Sequence, residues 1–197
     1  MKKLFILLVL LLPLIIILGS ARLVVFDKSL HESLFIKSET VIENYNLLND
    51  DVVEFLKGNT ETVESDMFTD KEKDHLRDVR WLINVLSAVF YSAIVLFVIL
   101  LFYFYNEDKL IIRKGLFYGG VLTFSLLGVG ALLFSINFDF MFSLFHKLFF
   151  PQGNYVFRTN LPLLYNGVWY YLISFRIVLY SVIGAGVLVV QKFVKRL

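Results

Sequence analysis

The chain has 197 residues, of which 58% are hydrophobic and 17% aromatic, and its mean hydropathy of +0.73 lies well beyond soluble domains, where apolar usage runs roughly 45–50%. It therefore reads as an all-α integral membrane protein. With a formal net charge of +2, no nucleic-acid motif and no cysteine, it excludes nucleic-acid binding, disulfides, thiolate metal sites and a thiol nucleophile.

Four apolar runs, 4–26, 81–105, 115–137 and 168–190, reach the roughly 20 residues needed to cross a hydrocarbon core. They predict a single membrane domain, 1–197, of four transmembrane helices with a helical segment between spans one and two. Lys2 and Lys3 precede the first span, Lys109, Arg113 and Lys114 separate the second and third, and Lys192, Lys195 and Arg196 follow the fourth. Basic residues favour the inner side, so both termini, the loop 106–114 and the tail 191–197 are expected in the cytoplasm, with 27–80 and 138–167 outside.

The first span also resembles a signal peptide, with Met-Lys-Lys before the apolar run and Leu18-Gly-Ser-Ala21 as a small-residue cleavage region. A retained anchor is expected, because Arg22-Leu-Val-Val-Phe26 carries the run beyond the usual apolar length of a signal, about 7 to 15 residues.

The outer segment from Asp27 to Arg80 carries 14 Asp and Glu against 7 Lys and Arg, a net of −7 that the overall charge conceals. Such a surface argues against anionic partners. Within it His31-Glu32 stands without a second histidine at helical spacing. Val41, Tyr45, Leu48, Val52 and Phe55 recur every three or four residues and predict an amphipathic helix. Thr40-x-x-Glu43 offers a capping box at its start and Gly58-Asn59 a stop at its end.

Thr69-Asp-Lys-Glu72 is a second capping box, opening a helix that runs into span two with Glu72, His75, Asp78, Val79 and Leu82 on one face. His75 lies six residues, about 9 Å, above Trp81 at the water boundary. A carboxylate one turn to either side, Glu72 or Asp78, is placed to stabilise its imidazolium.

After span three, residues 138–167 stay aromatic and are expected to lie in the membrane interface, with His146 among Phe142, Phe145, Phe149 and Phe150. Pro151-Gln-Gly-Asn154 supplies a turn able to present N–H groups and an amide to a reaction centre. In span four Arg176 sits about 10 Å inside Trp169, at a depth that costs about 2.5–3.5 kcal/mol on insertion scales and marks it as functional or as a snorkelling structural residue.

Two histidines at a lipid-exposed rim, each with an unperturbed pKa of about 6.5, point to acid–base chemistry on a lipid-borne substrate. Two other classes remain open: a non-catalytic membrane partner with an acidic outer domain, and a metal-dependent membrane hydrolase using His75, His146 and Glu72 as ligands. Gly-rich phosphate loops, G-x-S-x-G and H-E-x-x-H are all missing.

On Phe68-Thr-Asp-x-Glu72-x-x-His75-Leu-x-Asp78-Val79, on Phe145-His146-x-x-Phe-Phe150 with Gly153-Asn154, and on the Tyr45-Asn-Leu-Leu region, the chain resembles the lipoprotein intramolecular transacylases of bacterial membranes. The resemblance covers nearly its whole length. It implies a plasma-membrane acyltransferase that needs neither cofactor nor metal and takes lipidated lipoproteins as substrate. The sn-2 acyl chain of the diacylglyceryl-cysteine would move to that cysteine's own α-amino group, leaving the lyso-form, at a site in the outer leaflet. The family's catalytic histidines map onto His75 and His146. Either one can serve as base; Glu72 and Asp78 favour His75 as base and His146 as acid, with Asn154 or Arg176 as candidates for oxyanion stabilisation.

Overall fold

The computed structural model describes residues 1–153, 155–156 and 159–193, and these contain only helices and their connections. In chain order the helices are α1 (Lys2–Val25), α2 (Lys28–Lys37), α3 (Tyr45–Lys57), α4 (Asp70–Glu107), α5 (Lys109–Ile136), α6 (Phe138–Phe149), α7 (Asn160–Leu164) and α8 (Gly167–Val190). Helices α1, α4, α5 and α8 are long and apolar enough to cross a membrane, and they cover the four runs expected from the sequence except Phe26 and Asn137. At 38 residues α4 is about 57 Å long, far more than a hydrocarbon core of about 30 Å requires.

The chain divides into two compact units. The first comprises Met1–Arg22, Leu86–Ile136 and Ile177–Leu197. Its core joins Leu8 and Leu11 of α1 to Ala93, Leu100 and Phe104 of α4. Close approach of α5 to its neighbours rests on small residues, as membrane helices require where lipid offers no hydrophobic drive to association. A methyl group built at Gly115 or Gly119 would meet Leu8 or Leu12, and one at Gly120 would lie 2.9 Å from the Ala185 carbonyl oxygen. Arg22 donates to Ser87 Oγ at 2.9 Å and lies over the Tyr91 ring, which satisfies a charge at the end of an apolar helix.

The second unit comprises Leu23–Val85 and Asn137–Arg176. Helix α2, which the sequence reading left unassigned, is capped by Asp27, whose side chain accepts from Leu30 N at 3.0 Å. Its buried face carries Leu34 and Phe35, with Phe35 against Tyr45, Tyr165 and Trp169, while Leu48, Val52 and Phe55 of α3 are buried as their spacing predicts. His31 is buried here too, with Nδ1 2.9 Å from Asn49 Oδ1 and Nε2 3.1 Å from the Val24 carbonyl oxygen. Asn49 in turn accepts from the Tyr165 hydroxyl at 3.1 Å, so His31 is a structural histidine.

The expected cap at Thr40 is not formed. Helix α3 begins at Tyr45 behind Asn44, which adopts the left-handed conformation (φ 58°) and makes no side-chain cap, and Val41 is left exposed. Thr40 is occupied otherwise, sharing a hydrogen bond with Ser38 Oγ at 3.0 Å. The predicted stop does hold: Gly58 takes φ 91°, which only glycine adopts at little cost, and its N–H and that of Asn59 close onto Phe55 and Glu54 carbonyls.

Candidate active site

Everything described in this site belongs to the second unit. His75 comes from the first turns of α4, started by the expected capping box: Thr69 N donates to Glu72 Oε2 at 2.8 Å, and Glu72 N donates back to Thr69 Oγ1 at 3.4 Å. His146 comes from α6, in the stretch expected only as interfacial aromatic chain. Asn137 caps that helix by accepting from Phe140 N at 2.9 Å, Asp139 complements its positive end, and Pro151 disfavours helix at Phe150, where it stops.

The fold brings the two imidazoles together across 71 residues of chain. Their centroids are 6.2 Å apart with ring planes 26° from parallel, and they are 5% and 7% exposed. Phe150 lies against both, at 4.8 Å from His75 and 5.6 Å from His146. Phe142, Phe145 and Tyr155 enclose His146 further, at 4.1, 5.4 and 5.0 Å.

His146 Nδ1 is 2.8 Å from the Phe142 carbonyl oxygen, which can only accept, so Nδ1 carries the proton. In the neutral ring Nε2 then holds the lone pair. Burial pushes the His146 pKa below its usual value of 6.5, against a smaller opposing effect of the Phe142 hydrogen bond. The ring is accordingly a neutral base at physiological pH, with its basic nitrogen selected by the backbone.

Glu72 is engaged by other partners. Its carboxylate is fully buried, and Oε2 accepts from Thr69 N and Oγ1 at 2.8 and 2.9 Å. Oε1 accepts from Thr159 Oγ1 and Leu161 N, both at 2.6 Å. Four donors thus fill it, and it ties the start of α7 to α4. Asp78, one turn beyond His75, accepts from the Gln152 side chain at 2.6 Å. Lys71, one turn before His75, donates to the Val156 carbonyl at 3.0 Å. Positions 71, 75 and 78 share one helical face, so Gln152 and Val156 are pinned on either side of His75. The turn itself is closed by Gly153 N on Phe150 O at 3.1 Å, with Gly153 at φ 71°.

Arg176 is half-buried on α8, and among the described residues it has no hydrogen bond, ion pair or ring contact linking it to either histidine. Asn154 lies outside the described residues. The ligand set of His75, His146 and Glu72 does not assemble, since Glu72 is filled by its donors, and among the described residues no group of three His, Cys, Asp or Glu side chains is placed to hold a metal. Phe142, Phe150 and Tyr155 lie against His146; the sequence reading had Phe142 and Tyr155 only in the aromatic stretch 138–167, and Phe150 there and in the second histidine motif.

A sequence model of the family described as lipoprotein intramolecular transacylase Lit matches residues 6–166. A search of curated protein sequences found no match. Among solved structures, the membrane-integral lipoprotein intramolecular transacylase Lit of Bacillus cereus superimposes with a TM-score of 0.84 at 19% identity, over 98% of this chain and 94% of that one. Structures of the same Bacillus cereus protein with one histidine replaced, by arginine and by alanine, each give a TM-score of 0.78 at 19% identity, covering 99% and 98% of this chain and 94% of theirs.

Proposed function

From the premise that the chain belongs to the lipoprotein intramolecular transacylase Lit family, and so is a multi-pass membrane acyltransferase, we propose that it moves the sn-2 acyl chain of a lipoprotein's S-diacylglyceryl cysteine onto that cysteine's own α-amino group, with His75 and His146 as the catalytic pair. The observation that carries this reading is the pair itself: two buried imidazoles with centroids 6.2 Å apart in an aromatic enclosure.

Nucleophile and ester belong to one substrate molecule, so positioning alone supplies effective concentrations on the order of 10⁵ M or more, and no acyl-enzyme is needed. The neutral amine attacks the sn-2 ester carbon, a C–N bond forms, and the carbonyl electron pair moves onto oxygen. His146 Nε2, neutral and oriented by the Phe142 carbonyl, takes the surplus proton from nitrogen. The intermediate collapses as the C–O bond to glycerol breaks, and the glycerol oxygen takes a proton delivered through His75. Amide and free sn-2 hydroxyl result, and proton return from His146 to His75, directly or through solvent, resets the pair.

This assignment exchanges the roles favoured from sequence, for a stated reason: the Glu72 carboxylate expected to stabilise His75 as a base is filled by Thr69, Thr159 and Leu161. Basic residues in the loop 106–114 and at both termini favour the cytoplasmic side for these segments, which supports a site at the outer leaflet, where lipidated lipoproteins and membrane lipid lie. The test is a diacyl lipopeptide labelled with ¹³C only in its sn-2 chain. The label is expected on the amide of the product; label retained on glycerol, with the sn-1 chain on nitrogen, would refute the regiochemistry.

A further inference from the structure

The histidine pair accounts for the protons but does not itself supply a donor to the negative oxygen of the tetrahedral intermediate. Three of the rings packed around the histidines, Phe142, Phe145 and Phe150, carry no polar atom. The fourth is Tyr155, whose ring centroid lies 5.0 Å from that of His146. Of the other phenols nearby, the Tyr165 hydroxyl donates to Asn49 at 3.1 Å, and the Tyr170 ring meets Phe142, at 5.1 Å, where the Tyr155 ring meets His146 itself. The Tyr155 hydroxyl has no hydrogen bond among the described residues, and the side chain is only half-buried, within reach of an entering substrate.

A tyrosine of an interfacial belt has no need of a fixed position, and Tyr155 has one. Three residues before it, Gln152 donates to Asp78 at 2.6 Å; at the next residue, the Val156 carbonyl accepts from Lys71 at 3.0 Å. Both anchors lie on the α4 face that carries His75, one turn to either side of it. The segment is held further by the Thr159 hydroxyl on Glu72 at 2.6 Å. The phenol is thereby preorganised against the catalytic pair, the condition under which a donor to a developing oxyanion is effective.

We propose that Tyr155 is a third catalytic residue, its phenol O–H donating a hydrogen bond to the oxygen that becomes negative when the α-amine adds to the sn-2 ester carbon. The proton stays on Tyr155 throughout: the bond strengthens as the carbonyl electron pair moves onto oxygen and weakens again when the carbonyl re-forms. This inference rests on the transacylase reading.

The test compares wild type and Tyr155→Phe, which keeps the ring and removes the donor, on a synthetic diacyl lipopeptide. Loss of one preorganised oxyanion donor is expected to lower kcat by about 10²–10³ and leave KM within about twofold. A second measurement uses a lipopeptide whose sn-2 ester is replaced by a phosphonate, a tetrahedral anion. Wild type should bind it more tightly than Tyr155→Phe by a similar factor, which a purely packing role would not produce. Should the phenylalanine variant fail to fold, 2,3-difluorotyrosine at position 155, a stronger donor of the same shape, is expected to tighten phosphonate binding. Unchanged kcat in Tyr155→Phe, or unchanged phosphonate affinity in the fluorinated protein, overturns the proposal. If wild type itself yields no N-acyl product, it is the transacylase reading that fails.

Discussion

Replacing Glu72 by glutamine conserves shape and removes only one acceptor atom and a charge, so it isolates what the buried carboxylate does. Each of its oxygens receives one backbone N–H and one threonine hydroxyl: Thr69 N and Oγ1 at 2.8 and 2.9 Å on Oε2, Leu161 N and Thr159 Oγ1 at 2.6 Å on Oε1. The hydroxyls can rotate to accept from an amide NH₂, but the backbone groups cannot. Whichever way the glutamine amide is placed, an N–H at Thr69 or Leu161 faces another N–H. The loss of a hydrogen bond to a charged group is worth about 1.5–3 kcal/mol, and stranding a buried donor adds part of a further 1–3 kcal/mol. About 3 kcal/mol is therefore expected, or roughly 6–12 °C in melting temperature at about 2–4 °C per kcal/mol for a chain of this size. Because Glu72 positions the segment that carries Tyr155, activity should fall with stability. The assay is thermal unfolding in one fixed detergent or bicelle, with transacylation measured below the transition. A variant within 0.5 kcal/mol of wild type would refute the reasoning.

Other expectations follow from single contacts. Burial lowers the His146 pKa, so ¹⁵N NMR of the labelled ring should show the Nδ1–H neutral tautomer at pH 7 and a titration midpoint below 6.5; a midpoint above that value contradicts the base assignment. Burial lowers His31 likewise. For both, the unfolded ring titrates near 6.5 and the folded ring lower, so the unfolded chain binds more protons in between, and stability should decline as pH falls from about 6.5 through that window; chemical denaturation at stepped pH measures it. Gly120→Ala would drive a methyl group to 2.9 Å from the Ala185 carbonyl, a backbone atom that cannot swing aside, and overpacking of this kind costs about 1–3 kcal/mol, read from the melting temperature. Gly58→Ala, at φ 91° and against Arg80, should cost about 1 kcal/mol, while alanine at the open Gly128 position should cost far less.

What the sequence disclosed was what lies in local patterns. Apolar length marked the four spans, the Thr69–Glu72 box marked the start of α4, and the spacing of Leu48, Val52 and Phe55 marked the buried face of α3. The Thr40–Glu43 box had the same local pattern and no cap formed, because Thr40 is engaged with Ser38 and Asn44 starts the helix instead. Helix α6 was hidden by composition, since a run of phenylalanines reads as an interfacial belt before it reads as a helix. The pairing of His75 with His146 was read from their shared place at the outer rim and from resemblance to a family; no periodicity links positions 71 residues apart. Partners in a folded chain explain the remaining surprise, because Glu72 sits at the right spacing to serve His75 and is claimed by Thr159 and Leu161 from far along the sequence.

The most direct test of the account is tandem mass spectrometry of the N-terminal lipopeptide of a reporter lipoprotein, produced in a host that otherwise makes only the diacyl form. Wild type, His75→Ala and His146→Ala are compared at matched expression. Wild type should yield a peptide of unchanged mass with one acyl chain moved to the amine, and each histidine variant should yield the unshifted diacyl peptide. N-acylation that persists in either folded variant would contradict the two-histidine mechanism.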